Sequence, residues 1–187
     1  IARLMRRKGI YIAAQIANTT GIPLKIVGQG GVVTEKGSLI HRKNSDFELE
    51  AGNWEYLGYA DVETRKKLYA NARATIVATQ YLEPFAGTHV ESMLSGTPVI
   101  TTSFGVFPET IPDVLQGVVG YRCWTFDDFY QAAMNVHKLD PFTIQNYASR
   151  YLMDNVKWQY QKWFEDLHRV YESRDGISKG WNYFEQT

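Results

Sequence analysis

Apolar residues recur at two different spacings along this chain, and the spacings predict an alternation of helices and strands. In residues 8–19, Ile10, Ala13, Ala14 and Ala17 fall on one helical stripe, and Thr19-Thr20-Gly21 with Pro23 stops it. Residues 24–28, 55–58, 74–79, 97–101 and 118–122 are short apolar runs of the kind that a buried parallel strand shows. Helical stretches are predicted between them. One covers 62–72, with Asp61 as its cap and Leu68 and Tyr69 inward. Another covers 86–95, a short one lies between Pro108 and Pro112, and Asp127 and Asp128 open one over 126–137. A long helical region follows from about 141 to 172, with a break near Asn155. Residues 30–53 are polar, glycine-bearing and of mixed charge, and are predicted as a long surface excursion or hairpin. Strands alternating with helices indicate an α/β fold, a Rossmann-like parallel sheet with helices on both faces. Ligands of such sheets bind at the carboxyl ends of the strands. Gly28–Gly30, Gly58–Tyr59, Gln80–Thr88 and Thr102–Gly105 all fall at such ends.

One of these ends carries concentrated chemistry. Glu83-Pro84-Phe85-Ala86-Gly87-Thr88-His89-Val90-Glu91 places two carboxylates eight positions apart, the first at a strand-to-helix turn and the second about two turns into the helix. The small-residue segment between them offers backbone N–H groups at a helix amino end, which suits a phosphate. A carboxylate would repel that phosphate and only accepts hydrogen bonds, so the hydroxyls of a sugar or ribose are its natural targets. The turn therefore reads as a nucleotide-sugar site. The apolar neighbours Val90, Met93 and Leu94 make a buried or half-buried setting the expectation for Glu91. His89, inside the helix, reads as a structural residue.

The same run continues as Ser92-Met93-Leu94-Ser95-Gly96-Thr97-Pro98-Val99. It resembles the signature of retaining, nucleotide-sugar-dependent glycosyltransferases of the GT-B fold, family-4 type: Glu, seven residues, Glu, then small-Met-small-x-Gly-x-Pro-Val. Arg3-Leu4 with Lys8-Gly9 is similar to that family's Arg…Lys-Gly element. Leu24-Lys25-Ile26-Val27-Gly28-Gln29-Gly30, Tyr56-Leu57-Gly58 and Ala72-Arg73-Ala74 match later landmarks, so the likeness runs over residues 1 to about 122. There are departures: Ala86 stands where the family usually has Gly, and Gly105 is followed by Val106 rather than a second glycine.

The resemblance implies one half of a GT-B fold, the donor-binding domain, over residues 1–172, with a tail at 173–187. It implies that the domain's first strand and an amino-terminal acceptor domain lie outside this chain. It gives Glu83 the catalytic place facing the donor sugar and Glu91 the ribose hydroxyls. Arg3 and Lys8 would neutralise the diphosphate, and the backbone of Phe85, Ala86, Gly87 and Thr88 would hold phosphates and sugar hydroxyls. Fixed cations at a leaving diphosphate take the place of a metal, so neither a metal nor another cofactor is expected. The expected partners are a nucleotide-sugar donor and a saccharide, lipid or small-molecule acceptor. Aromatics of the last helix and tail (Trp158, Tyr160, Trp163, Phe164, Tyr171, Trp181, Tyr183, Phe184) would include anchors for the other domain.

Composition narrows the alternatives. Twenty Lys and Arg balance twenty Asp and Glu, which excludes a strongly basic nucleic-acid surface. Cys123 is the single cysteine, so no internal disulfide forms, which fits a reducing, cytoplasmic setting. No apolar stretch reaches the ~18 residues of a membrane span. Two other readings stand beside the transferase: a non-catalytic nucleotide-sugar module or degenerate homologue, and a GT-B-fold nucleotide-sugar epimerase. A nicotinamide dehydrogenase is disfavoured, because Gly28-Gln29-Gly30-Gly31 leads into a loop rather than a helix.

Overall fold

A computed structural model describes residues 1–172. The described chain forms two compact units, one of Ile1–Ala148 and one beginning at Ser149. The first unit opens with a 3-10 turn, Arg6–Lys8, followed by α1, Ile10–Thr20, which Gly21 ends in a left-handed conformation. Strand β1, Leu24–Ile26, pairs in parallel with β5, Trp54–Tyr56. A second parallel set runs β6 (Thr75–Val77), β7 (Val99–Thr102), β8 (Gly120–Cys123), in that spatial order. Helices α2 (Val62–Ala70), α3 (Gly87–Leu94), α4 (Phe107–Thr110), α5 (Phe126–Asn135) and α6 (Pro141–Ala148) connect or follow the strands. The parallel α/β architecture is thus the one the apolar runs predict.

Caps explain several helix starts. Asp61 accepts from the Thr64 N–H at 2.8 Å at the head of α2, as expected. Thr125 and Asp128 form a reciprocal capping box at α5. Tyr69 is buried as expected, while Leu68 is only half-buried. Pro108 lies inside the first turn of α4 rather than ahead of it, a position where its missing N–H costs nothing.

Two differences from the sequence reading matter. Residues 30–53 are not only a surface excursion. They form an antiparallel sheet of β2 (Gly31–Val33), β3 (Leu39–His41) and β4 (Asn44–Leu49). Leu39, Phe47 and Leu49 are buried from it against Leu4, Ile10, Ala14 and Ile26. In the second unit the helical run breaks at a 3-10 turn, Ser149–Tyr151, ahead of α7, Met153–Glu172, so the interruption falls before Asn155. Trp163 and Phe164 pack edge-to-face in α7, with ring centroids 4.9 Å apart. Trp181, Tyr183 and Phe184 lie outside the described residues.

A second cluster joins Ile16 of α1 to Ala78, Ile100, Cys123 and, from α5, Phe129, Ala132 and Ala133. Burial, with the nearby Asp128 charge, pushes the Cys123 thiol up to about 12, so the one cysteine is a packing residue. The segment between Ile1 and Gly9 lies against the carboxyl ends of both parallel sets. The Ala2 N–H donates to Val27 O at 2.9 Å, and the Gln80 N–H donates to Arg7 O at 2.8 Å.

Candidate active site

The carboxyl ends of β1 and β6 open into a cleft of about 450 Å³. Its wall includes Arg3, Lys8, Glu83, Ala86, Gly87 and Thr88, six of the eight residues singled out from sequence. Thr88 and Arg3 also border a wider basin of about 1070 Å³ beside Gly28, Gln29 and Tyr59.

At the centre Lys8 and Glu83, 75 residues apart in sequence, are ion-paired at 2.8 Å. Tyr81 closes a triangle: its hydroxyl donates to the same Glu83 oxygen at 2.7 Å and accepts from the Lys8 ammonium. Burial works to raise the Glu83 pKa. The hydrogen bonds from Lys8 and Tyr81, the Lys8 charge and the Ala86 N–H outweigh it, and the carboxyl sits below its ordinary value. Burial likewise opposes the charge on Lys8, and its bonds to Glu83 and Tyr81 with the Glu83 charge hold its pKa above the usual one. Glu83, 7% exposed, is a fixed anion and Lys8 a fixed cation. An ammonium has three N–H donors. Two are engaged here, which leaves one for a ligand oxygen.

The turn that follows is unusual at Ala86, not at Gly87. Ala86 has φ 54° and ψ 64° and is the only non-glycine with positive φ among the described residues. A Cβ on Gly87 would meet nothing within 4 Å. Where the resembled signature has Gly, this chain thus keeps the left-handed backbone but supplies Ala. His89 explains how the turn holds. It is fully buried, its Nδ1 lies 2.6 Å from Ala86 O, and it packs edge-on to Phe107 at 5.4 Å between centroids. Burial keeps its pKa below the usual imidazole value, so it is a neutral donor and a structural residue. Gly105, also left-handed, brings its backbone so close that a Cβ would lie 2.5 Å from the Glu83 nitrogen. The neighbouring Val106 N–H donates to Glu83 O at 2.9 Å. Of the expected backbone donors, Ala86 N–H turns to Glu83. Gly87 and Thr88 remain at the amino end of α3, and Phe85 is largely exposed.

Glu91 stands apart from this cluster. It is the fifth residue of α3, one turn in rather than two, and its side chain is 46% exposed rather than buried. The reason is that Val90 and Met93, on adjacent helix positions, take the inward face. Glu91 meets Arg65 Nε at 3.4 Å and accepts from the Tyr69 hydroxyl at 3.2 Å. Burial, and then the Glu91 charge, raise the Tyr69 pKa, so the phenol stays a donor. The sequence reading missed Tyr81, Arg65 and Tyr69 as site residues. For the last two a signal existed: i and i+4 on a capped helix share one face. Tyr81 had none beyond standing two residues before Glu83.

A parallel α/β sheet with a helix amino end and a carboxylate held by a fixed cation at the strand ends forms a ligand cleft where such sheets bind their ligands, with donors suited to an anion. The chain belongs to the family of glycosyl transferases group 1, whose family model matches residues 1–136. It is similar to an uncharacterized glycosyltransferase of Methanocaldococcus jannaschii, 36% identical over 66 residues, which is 35% of this chain and 17% of that protein. In fold it is similar to sucrose-phosphate synthase from Thermosynechococcus elongatus, with TM-score 0.63 and 20% identity over 91% of this chain and 45% of that one. It is also similar to Anabaena HepE solved with UDP and glucose, with TM-score 0.62 and 18% identity over 89% of this chain and 47% of that one. The chain therefore spans less than half the length of each of these proteins. Among the described residues no helix is long and apolar enough to cross a membrane.

Proposed function

We propose that this chain is the donor-binding part of a retaining glycosyltransferase. It takes a nucleoside diphosphate sugar and passes the glycosyl group to a saccharide, lipid or small-molecule acceptor held by an amino-terminal domain. The observation that carries this reading is the Lys8–Tyr81–Glu83 triangle set beside the amino end of α3 at the strand ends.

In this reading the free N–H of Lys8, the guanidinium of Arg3 and the N–H groups of Gly87 and Thr88 hold the diphosphate. They stabilise the charge that grows on it as the glycosyl bond breaks, so no metal is required. Glu83, held ionised by Lys8, faces the positive charge developing on the sugar ring. Glu91 accepts from the ribose hydroxyls, and its exposure leaves it accessible to them. No side chain is assigned as general base; the leaving phosphate serves there, which keeps the anomeric configuration. UDP is the first nucleotide to try, since HepE was solved with it.

Calorimetric titration of the chain with UDP, GDP and ADP, with EDTA present, tests the reading. One nucleotide is expected to bind without metal. Lys8→Ala and Glu91→Ala should each weaken it about 10- to 100-fold, the loss of one charged hydrogen bond. Absence of binding by a folded chain, or binding that both variants leave unchanged, would remove the proposal.

A further inference from the structure

The cations around the cleft exceed what a diphosphate needs. In the proposed function the diphosphate takes Arg3, the free N–H of Lys8 and the amino end of α3. Arg6, Arg7 and, from the turn between β3 and β4, Lys43 are left over, and all three line the basin of about 1070 Å³. Arg7 also lines the cleft of about 450 Å³, so it stands where the two cavities share a wall. Asp46 is the one carboxylate among the basin's lining residues, and Arg65 there is already paired with Glu91. No ion pair among the described residues includes Arg3, Arg6, Arg7 or Lys43. The whole chain has as many acidic as basic residues, so this excess belongs to the place and not to the composition.

The two extra guanidinium groups are also held. Arg7 Cζ lies 5.4 Å from the centre of the Tyr81 ring, and Arg6 Cζ lies 6.0 Å from that of Tyr11. A guanidinium laid on a ring keeps its N–H edge open to fork onto a carboxylate or a phosphate. A turn that served only solubility would need neither the rings nor the cavity wall. Three arginines within five positions repel one another, and a concave wall of one charge sign focuses its field on an ion of the other sign.

Position tells which molecule carries that ion. The phenol under Arg7 is the one bonded to both Lys8 and Glu83, so Arg7 stands beside the triangle where the proposed function puts the transferred sugar. Glu83 is a fixed anion there, and it would repel a sugar that bears its own negative charge. Arg6 and Arg7 offset that repulsion, and a neutral sugar gives them nothing to bind.

We propose that Arg6 and Arg7, assisted by Lys43, form a subsite for a carboxylate or phosphate group carried by a saccharide, either the transferred sugar or its acceptor. The inference rests on the nucleotide-sugar reading for where the sugar lies. The subsite selects an acidic or phosphorylated sugar over a neutral one by holding the anion, and no bond to that anion changes during transfer.

Titration of the arginine Nε–H signals by NMR, at matched ionic strength, tests this on the 187-residue chain. Two arms separate the sources of the anion: UDP-glucuronic acid against UDP-glucose for the donor, and glucose 6-phosphate against glucose, each with and without UDP, for the acceptor. In at least one arm the charged member is expected to bind about tenfold or more tighter than its neutral twin and to move the Arg6 and Arg7 signals. Arg6→Gln and Arg7→Gln should each erase that preference while UDP affinity stays within about twofold. A loss of UDP affinity as large as that of Lys8→Ala would assign the two arginines to the diphosphate and overturn the proposal. Absence of a charge preference in both arms, whether through equal binding or through none, overturns it as well. Failure of UDP to bind, with glucose 6-phosphate still moving the two signals, would remove the donor reading and leave the anion subsite standing.

Discussion

At the scale of single residues the turn after Glu83 rests on one strained alanine and the groups that hold it. A left-handed backbone costs a non-glycine residue about 1–2 kcal/mol, and glycine gives part of this back by its freedom when unfolded. Ala86→Gly is therefore expected to stabilise the fold by about 0.5–1 kcal/mol, a rise in Tm of roughly 2 °C, measured by thermal denaturation. An unchanged or lower Tm would show that the His89 bond to Ala86 O and the Gly105 contact already absorb the strain. The presence of Glu83 and Lys8 at one cleft was legible from the spaced motifs. Their direct pairing, with Tyr81 bonded to both, was not, because a separation of 73 to 75 positions leaves no local pattern in a single sequence.

At the scale of elements, caps and periods carried most of the information. Asp61 and Gly21 mark helix ends by chemistry that needs only neighbours three or four residues away, and at α5 the acidic pair Asp127–Asp128 marked the start while the structure shows Thr125 as the cap. Residues 30–53 defeated the same approach. Their polar and glycine content hides three inward positions, and the burial of Leu39, Phe47 and Leu49 depends on Leu4 and Ile10, which lie far off in sequence. Phe47→Ala separates a packed sheet from a surface excursion. The packed sheet requires a loss of about 3–4 kcal/mol in chemical denaturation, whereas a mere loop would lose under about 0.5 kcal/mol.

At the scale of the molecule, the segment between Ile1 and Gly9 ties the two strand sets together through Ala2 and Arg7, and Gly9 leaves no room for a side chain beside Ala78. It is left-handed, with φ 66°, and a Cβ there would stand 1.8 Å from Ala78 O. Strain and clash add in Gly9→Ala, which is expected to destabilise the chain by about 3 kcal/mol. Urea denaturation checks it, and a loss under about 1 kcal/mol would mean that Ala78 yields easily. The same tie sets the cleft, since Lys8 precedes Gly9 and Glu83 follows Ala78 by five positions.

The sequence by itself determined the alternation of helices and strands, the caps, and the two carboxylates at a strand-to-helix turn. Each of these follows from interactions within a few residues or from a burial period that repeats along one element. Only the tertiary structure decided that Glu83 is buried in its ion pair while Glu91 is exposed, that Ala86 bears the left-handed turn, and that 30–53 joins the core. Those depend on which distant segments meet, and the energy of such meetings lies in packing and hydrogen bonds that no local pattern records.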